Sequence, residues 1–233
     1  MSATPGGQCD CTDAHFTPAR AQSDLVAYRR RGPTGTARLM LQCLRDVHLS
    51  ADSLLDVGAG IGVLHHELLD AGVGTAVHIE VARAYVEAAR EESARRGHDG
   101  RVHFRYGDVV GLVAELAPAD LVTLDRVVCC YHDLEALMEA STRKANRYYA
   151  LSFPRERWYV RGRTWWKNLR RRRAGDPFQF FVHPVARIRS LIASAGFDVR
   201  CARSNLNWEV LVWERRAAHR STASADSDAA YPG

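Results

Sequence analysis

A glycine-rich turn that directly follows an apolar strand constrains the fold of this chain more than any other feature. Residues 54–57 are Leu-Leu-Asp-Val, and residues 58–62 continue as Gly-Ala-Gly-Ile-Gly before a helical pattern begins. Glycines let a ligand lie directly against the backbone, and the first turn of the following helix offers unpaired N–H groups. The turn therefore predicts a site for a small polar cofactor at the carboxyl end of a first parallel strand.

Short apolar runs alternate with helical patterns on both sides of this turn. The strand candidates are 53–57, 75–80, 102–106, 121–124 and 148–152, and the helical patterns between them are 62–71, 82–96, 110–116 and 133–143. A helix at 184–195 precedes two further runs, 198–203 and 208–214, separated by a polar turn typical of a hairpin. We predict an α/β fold: a doubly wound, mostly parallel seven-stranded sheet with a C-terminal antiparallel hairpin and an N-terminal helical cap.

Composition and length place one folded domain between two polar ends. The chain has 233 residues, of which 46% are hydrophobic, so one core over residues 17–215 is expected. Helices at 17–48 and the segment 155–181 are predicted to cap this domain, and residues 1–16 and 216–233 are predicted to be disordered. No apolar run approaches the roughly 18 residues of a membrane span, and the start lacks an export signal. Six irregularly spaced cysteines favour reduced thiols, so we expect a cytoplasmic protein.

Four acidic residues fall at or next to the ends of predicted parallel strands. They are Asp56, Glu80, Asp108 and Asp125. Glu80 could accept hydrogen bonds from a ribose diol or cap a helix, and Asp108 could contact an adenine amine or serve as an N-cap. Because the carboxyl ends of parallel strands meet at one edge of the sheet, the four carboxylates are expected to line one crevice.

The spacing of the glycines argues against a dinucleotide site. That fingerprint places its third glycine three residues after the second, whereas here Val63 occupies this position and the third glycine is Gly62. Asp56, two residues before the first glycine of the turn, would repel a pyrophosphate but suits a cofactor with an ammonium and a sulfonium group.

With these motifs the chain resembles the class I methyltransferases that depend on S-adenosylmethionine. The resemblance extends over about residues 34–214 and rests on residues 54–62, Glu80, Gly107-Asp108 and residues 119–133. It implies that the glycines 58, 60 and 62 hold the methionine part of the cofactor, Glu80 the ribose, and that Asp108 lies near adenine and Asp125 near the amine. The full predicted cofactor set is Asp56, Gly58, Ala59, Gly60, Gly62, Glu80, Asp108, Val109 and Asp125. No metal site is expected.

The C-terminal half is similar to the magnesium-protoporphyrin O-methyltransferase branch. The similar features are the strand ending in residues 151–154, the aromatic pair Trp158-Tyr159 and His183 before a helix. The sequence Cys129-Cys130-Tyr131-His132 departs from the His-Tyr-Pro of that branch, which leaves the acceptor open.

Two residues after the fourth strand are candidates for acid–base catalysis, although methyl transfer does not require it. His132 and Tyr131 are the candidate bases, and His132 could equally be a structural histidine. Cys129 and Cys130 could line the pocket, act as small buried hydrophobic residues or, with Cys9 and Cys11, bind a soft metal. The predicted acceptor-binding residues are Tyr28, Arg126, Trp158, Tyr159, Trp165 and His183.

Nine basic residues against one acid, Glu156, lie between Arg155 and Arg173. Together with the nearby tryptophans they favour a small, acidic and partly aromatic methyl acceptor. The four arginines at 170–173 could also form a solvated helix end. An RNA or DNA methyltransferase that uses residues 155–173 is one alternative, and a protein that binds S-adenosylmethionine without catalysis is another.

Overall fold

The fold is a single seven-stranded sheet with helices on both faces. The computed structural model describes residues 15–217. The strands are β1 Ser53–Val57, β2 Thr75–Glu80, β3 Val102–Tyr106, β4 Ala119–Leu124, β5 Ala145–Pro154, β6 Phe197–Ser204 and β7 Trp208–Arg215. The helices are α1 Pro18–Arg31, α2 Gly35–Asp46, α3 Val63–Asp70, α4 Arg83–Arg96, α5 Val109–Leu112, α6 Leu134–Thr142, α7 Trp158–Arg173 and α8 Val185–Ser194.

The strand order is β3-β2-β1-β4-β5-β7-β6, which confirms the predicted fold class. The strands β1 to β5 are mutually parallel, and β7 pairs antiparallel with both β5 and β6. The order reverses between β1 and β4, so the carboxyl ends of these two strands form the crevice in which such sheets bind ligands.

Neighbouring residues of the central strands enter separate cores because side chains alternate between the two faces of a sheet. Leu55 and Val122 pack with α6 and α8 on one face, whereas Leu54 and Leu121 pack with α2 and α3 on the other. A smaller core joins α1 to α4, with Leu25 fully buried. These helices hold the strand ends, and hence the site, in fixed positions.

The first helix of the N-terminal segment begins and ends where the sequence predicts. Pro18 starts α1, where its missing N–H costs nothing, and Gly32 closes the helix with its N–H donating to the carbonyl of Tyr28 at 2.8 Å. The helix predicted at 110–116 is the short α5 instead, which contains Gly111 and gives way to a turn after Leu112.

Most of the predicted disordered ends lie outside the described residues. Of the N-terminal segment, His15 and Phe16 are described: the ring of His15 stacks on Phe178 with centroids 4.3 Å apart. Cys9 and Cys11 also lie outside the described part.

A disulfide between Cys43 and Cys201 corrects the expectation of reduced thiols throughout the chain. Cys43 lies on α2 and Cys201 on β6, 158 residues apart in sequence, and their Cα atoms are 5.6 Å apart. Packing of α2 on the hairpin brings them together. Spacing along the chain gives no hint of such a pair, because only the tertiary fold makes it.

Among residues 15–217, none of the helices combines the length and apolarity that crossing a bilayer requires.

Candidate active site

A cavity of about 330 Å³ opens where β1, β2, β3 and β4 end. The sequence-predicted residues that line it are Gly58, Gly60, Glu80, Asp108, Val109, Asp125, Arg126 and Tyr131. Three of the four predicted strand-end acids therefore meet at one site, as expected from the parallel topology.

Gly58 and Gly60 form the part of the glycine turn that faces the cavity. Both have a positive φ, +60° at Gly58 and +58° at Gly60, which residues other than glycine rarely adopt. A Cβ on Gly58 would lie 2.4 Å from Cγ2 of Val127, whereas one on Gly60 would reach only the ring of Tyr85, at 3.6 Å. Gly60 is thus the position where the backbone is open to a ligand.

Two predicted residues of the turn do not line the cavity. Ala59 donates its N–H to the carbonyl of Ile79 at 3.1 Å, which ties the turn to β2. Gly62 is the left-handed N-cap of α3, and a Cβ there would collide with the rings of His65 and His66, at 2.4 and 2.9 Å. The third glycine is needed for packing of these histidines beneath the turn.

Glu80 connects the end of β2 to the glycine turn. Its Oε2 accepts from the N–H of Gly60 at 2.8 Å, and its Oε1 accepts from the N–H groups of Val81 and Ala82 at 2.8 and 3.0 Å. Burial raises the pKa of Glu80, and these three N–H donors act in the opposite direction. The carboxylate is held rigidly, with its side facing the cavity available to a ligand hydroxyl.

Asp108 caps a helix, one of the two roles that its sequence position allowed, and it also lines the cavity. Its Oδ1 caps α5 by accepting from the N–H of Val110 at 3.3 Å, and its Oδ2 accepts from the hydroxyl of Tyr131 at 2.6 Å. This second bond crosses the cavity wall from β3 to the segment after β4. Tyr131 therefore acts as a donor to Asp108, and the cap interpretation is confirmed, whereas the contact of Asp108 with adenine stays a prediction.

Asp125 and Arg126 form the wall that follows β4. The hydroxyl of Ser152 donates to Oδ1 of Asp125 at 2.6 Å and accepts from the N–H of Arg126 at 2.8 Å. Arg126 has a positive φ of 61°, an uncommon conformation for a residue with a side chain. This geometry turns the chain sharply and leaves Asp125 on the cavity.

Asp56 does not line the cavity, which corrects the prediction that it contacts the cofactor. It is 1% exposed and lies below the turn, where its Oδ1 accepts from the hydroxyl of Thr123 at 2.6 Å. Its Oδ2 lies 3.1 Å from Nδ1 of His65. Side chains of a strand alternate between the two faces of the sheet, and Asp56 points to the face covered by α2 and α3 instead of toward the strand end.

A group of buried histidines supports the turn from below. His65, His66 and His78 are each fully buried. Burial lowers the pKa of His66 to about 2 and that of His78 well below its usual value, and the neighbouring imidazoles add to both effects. His66 and His78 are therefore neutral at physiological pH, and the three rings pack beneath the turn.

Residues before and after the predicted motifs complete the cavity, and the sequence reasoning missed them. Phe16, Arg20 and Asp24 come from the N-terminal segment and α1, and Asp24 accepts from the hydroxyl of Tyr85 at 2.6 Å. Phe180 and Trp208 close the other side. The amphipathic pattern of α1 was a signal for helix formation, but nothing in it indicates which polar residue faces a ligand.

Several predicted catalytic and acceptor residues do not line this cavity. His132 is exposed, with its ring 5.8 Å from that of Phe181, so its predicted place at the site is wrong. Tyr28 is 4% exposed and donates to Glu67 at 2.7 Å in the α1 packing. His183 contacts the carbonyl of Tyr131 at 2.9 Å, and Tyr159 donates to the carbonyl of Leu206 at 2.6 Å, so both support neighbouring segments.

Trp158 and Trp165 line neither cavity, contrary to the prediction that they bind the acceptor. Trp158 is 85% exposed and Trp165 is 64% exposed, on the side of α7 that faces away from the cavity. They were expected to bind the acceptor, but an exposed helix face cannot enclose a small molecule.

Cys129 and Cys130 line the cavity, with their sulfur atoms 3.5 Å apart. This placement favours the pocket-lining interpretation. Cys129 is buried, and its hydrogen bond with Cys130, together with burial, raises the pKa of its thiol well above the usual value. It remains a thiol at physiological pH.

A second cavity of about 80 Å³ adjoins the first and shares Cys129, Phe180 and Trp208 with it. Arg163, Thr164 and Lys167 of α7 form its outer wall, and Asn207 and Phe181 lie beside them. The inner side of α7 thus brings two cationic side chains to the edge of the main cavity.

Comparison with known proteins agrees with this arrangement. Residues 54–148 match the family model of a methyltransferase domain, and no curated protein matches the sequence. Magnesium protoporphyrin IX methyltransferase from Synechocystis PCC 6803, solved with bound SAM, is similar in structure, with a TM-score of 0.65 and 17% identity over 93% of this chain and 100% of that one.

Two further solved structures share the fold. A chain in the Haloferax volcanii complex of the Trm112 methyltransferase activator has a TM-score of 0.68 and 15% identity over 89% of this chain and 98% of its own. An O-methyltransferase family protein from Burkholderia thailandensis has a TM-score of 0.62 and 15% identity over 84% of this chain and 59% of its own.

Proposed function

We propose that this chain transfers a methyl group from S-adenosylmethionine to a small acceptor with an acidic group and an apolar, partly aromatic body, since residues 54–148 match the model of a methyltransferase domain and the strand order forms a ligand crevice at their strand ends. The observation that carries this proposal is the pair of adjoining cavities: one lined by the glycine turn and three strand-end acids, the other by two cations of α7.

The chemistry of the main cavity fits S-adenosylmethionine. Gly60 leaves room for a ligand at the backbone, where a side chain would intrude. Glu80 would hold the ribose hydroxyls, Asp108 and Val109 would lie beside adenine, and Asp125 would pair with the cationic amine. Asp56 contributes only by fixing the strand beneath the turn.

When bound, S-adenosylmethionine supplies an electrophilic methyl group on a sulfonium, which a nucleophilic acceptor atom removes by in-line displacement. The reaction gains mainly from alignment of the two reactants and from exclusion of water. Phe16 and Tyr85 cover one side of the cavity, and Phe180 and Trp208 cover the other. Tyr131 donates its hydroxyl to Asp108, so we assign it to positioning of the wall instead of to proton abstraction.

The second cavity supports an acidic acceptor. Arg163 and Lys167 line it together with the aromatic rings of Phe180 and Trp208. A carboxylate or phosphate held by these cations would leave the apolar body of the acceptor against the rings and direct its reactive end toward the shared wall at Cys129.

We expect that the double substitution Arg163→Met and Lys167→Met raises the KM for the acceptor at least about tenfold, because charge-assisted hydrogen bonds are lost. The affinity for S-adenosylmethionine should not change. The acceptor is first identified by incubating the protein and deuteromethyl-labelled S-adenosylmethionine with a fractionated metabolite extract and locating the mass-shifted product.

The matched control is Arg170→Met with Arg173→Met, two exposed positions of the same helix outside both cavities. The control should keep the KM of the unsubstituted protein. A labelled product without an acidic group, or equal effects of the two double variants, would contradict the assignment of the second cavity.

A further inference from the structure

One face of α7 exposes an unusual concentration of large apolar side chains. Positions 158, 162, 165 and 169 follow the spacing of a single helix face, and position 166 lies at its edge. The tryptophans on this face, Trp158, Trp165 and Trp166, are 85%, 64% and 52% exposed. Such a patch on a soluble domain usually marks an interaction surface.

The patch extends beyond the helix to the turn between β6 and β7. Leu206 in this turn is 71% exposed, and its carbonyl accepts the hydroxyl of Tyr159 at 2.6 Å, at the first turn of α7. Four of the seven exposed large hydrophobic residues in the described chain thus lie on α7 or on the turn that its first helical turn contacts. We call Trp158, Trp165, Trp166 and Leu206 the tryptophan face.

Basic residues surround the tryptophan face. Residues 155–173 hold nine arginines and lysines and one acid, while the whole chain has a net charge of only +5, so the remainder of the chain is net negative. Arg161 and Arg172 flank the tryptophans by helical spacing. Cations at the border of an apolar face complement a surface that is itself negatively charged around an apolar interior.

The opposite side of α7 faces the body of the protein. Val160 is 2% exposed, and Arg163, Thr164 and Lys167 line the second cavity. The tryptophan face is therefore not needed for packing, and the proposed acceptor site lies directly beneath the helix that carries it.

We propose that the tryptophan face docks on the surface of an anionic lipid bilayer, with α7 lying parallel to the membrane plane. Tryptophan side chains partition into the boundary between headgroups and acyl chains, and flanking arginines bind anionic headgroups. An aliphatic residue, Leu206, at the tip of the face favours lipid over single-stranded nucleic acid, which is held by stacking of bases on rings. Docking would hold the second cavity on the far side of α7, about one helix diameter, or roughly 10 Å, from the bilayer surface.

The test is sedimentation of the full-length protein with vesicles of phosphatidylcholine alone or mixed in equal parts with phosphatidylglycerol. We expect binding to the mixed vesicles, with a blue shift of tryptophan fluorescence. The triple variant Trp158→Ser, Trp165→Ser and Trp166→Ser should bind at least about tenfold more weakly, because the apolar contribution is lost. Its fold is checked by circular dichroism, and all three positions are exposed.

A matched control replaces exposed apolar residues elsewhere, Val26→Ser with Val199→Ser, which are 49% and 38% exposed, and should bind like the unsubstituted protein. Undiminished vesicle binding by the triple variant would overturn the proposal. Absence of vesicle binding, with salt-sensitive retention on single-stranded RNA that requires the same tryptophans, would overturn it in favour of a nucleic-acid surface. Neither measurement depends on methyl transfer, so failure here leaves the proposed function intact.

Discussion

Replacing Gly60 by valine is expected to abolish binding of S-adenosylmethionine, with a loss of affinity of more than about 100-fold. Gly60 has a φ of +58° and lines the main cavity. A β-branched residue is strained in this conformation and would project its side chain into the space that the donor requires. Isothermal titration calorimetry measures the affinity, and circular dichroism reports whether the variant folds.

Gly97→Val is the matched control for this substitution. Gly97 closes α4 with a φ of +70°, has no atom within 4 Å of an added Cβ, and is not part of either cavity. Both variants should lose stability by a similar amount, about 1–3 kcal/mol, because each forces a side chain into the left-handed region. Only Gly60→Val should lose the donor. Equal affinity of the two variants for S-adenosylmethionine would show that the glycine turn does not contact this donor.

Replacing Glu80 by alanine is expected to weaken binding of S-adenosylmethionine by about 1–3 kcal/mol, or roughly 5- to 150-fold, the usual cost of losing a charged hydrogen-bond partner. Two contributions add up: the ribose loses its acceptor, and the N–H of Gly60 loses the bond at 2.8 Å that fixes the turn. Because burial raises the pKa of Glu80, donor affinity should also fall on acidification, as the carboxylate takes up a proton.

Asp120→Ala separates these effects from general destabilisation. Asp120 accepts hydrogen bonds from the N–H groups of Asp52 and Ser53, at 2.9 and 3.1 Å, near the start of β4 and thus at the opposite end of the strand from the cavity. The Asp120→Ala variant loses a comparable set of hydrogen bonds from backbone N–H groups, but the substituted residue does not line the cavity. Unchanged calorimetric affinity in Glu80→Ala, or an equal loss in Asp120→Ala, would reject the ribose role of Glu80.

Local chemistry was sufficient to predict the sheet and one half of the site. Apolar runs, glycines and helix caps act over a few residues, and the parallel topology then forces the strand ends together. Glu80, Asp108 and Asp125 accordingly line the cavity. Asp56 shows the limit of this reasoning, because proximity to the strand end does not determine which face its side chain takes.

The other half of the site depends on tertiary packing that a sequence pattern does not encode. Asp24 and Tyr85 meet through the contact between α1 and α4, 61 residues apart. The disulfide between Cys43 and Cys201 has the same origin. The sequence pattern groups the aromatic and basic residues of α7 together, and only the orientation of the helix separates Arg163 and Lys167, which face the second cavity, from the exposed tryptophans.

The most direct measurement is a crystal structure of the protein grown with S-adenosylhomocysteine, the product left by the donor. We predict that the nucleoside lies between Gly60 and Asp108, with both ribose hydroxyls on Glu80 and the amine near Asp125. Electron density for the ligand at any other place, or a ligand-free cavity under conditions where calorimetry shows saturation, would contradict the assignment of this crevice as the donor site.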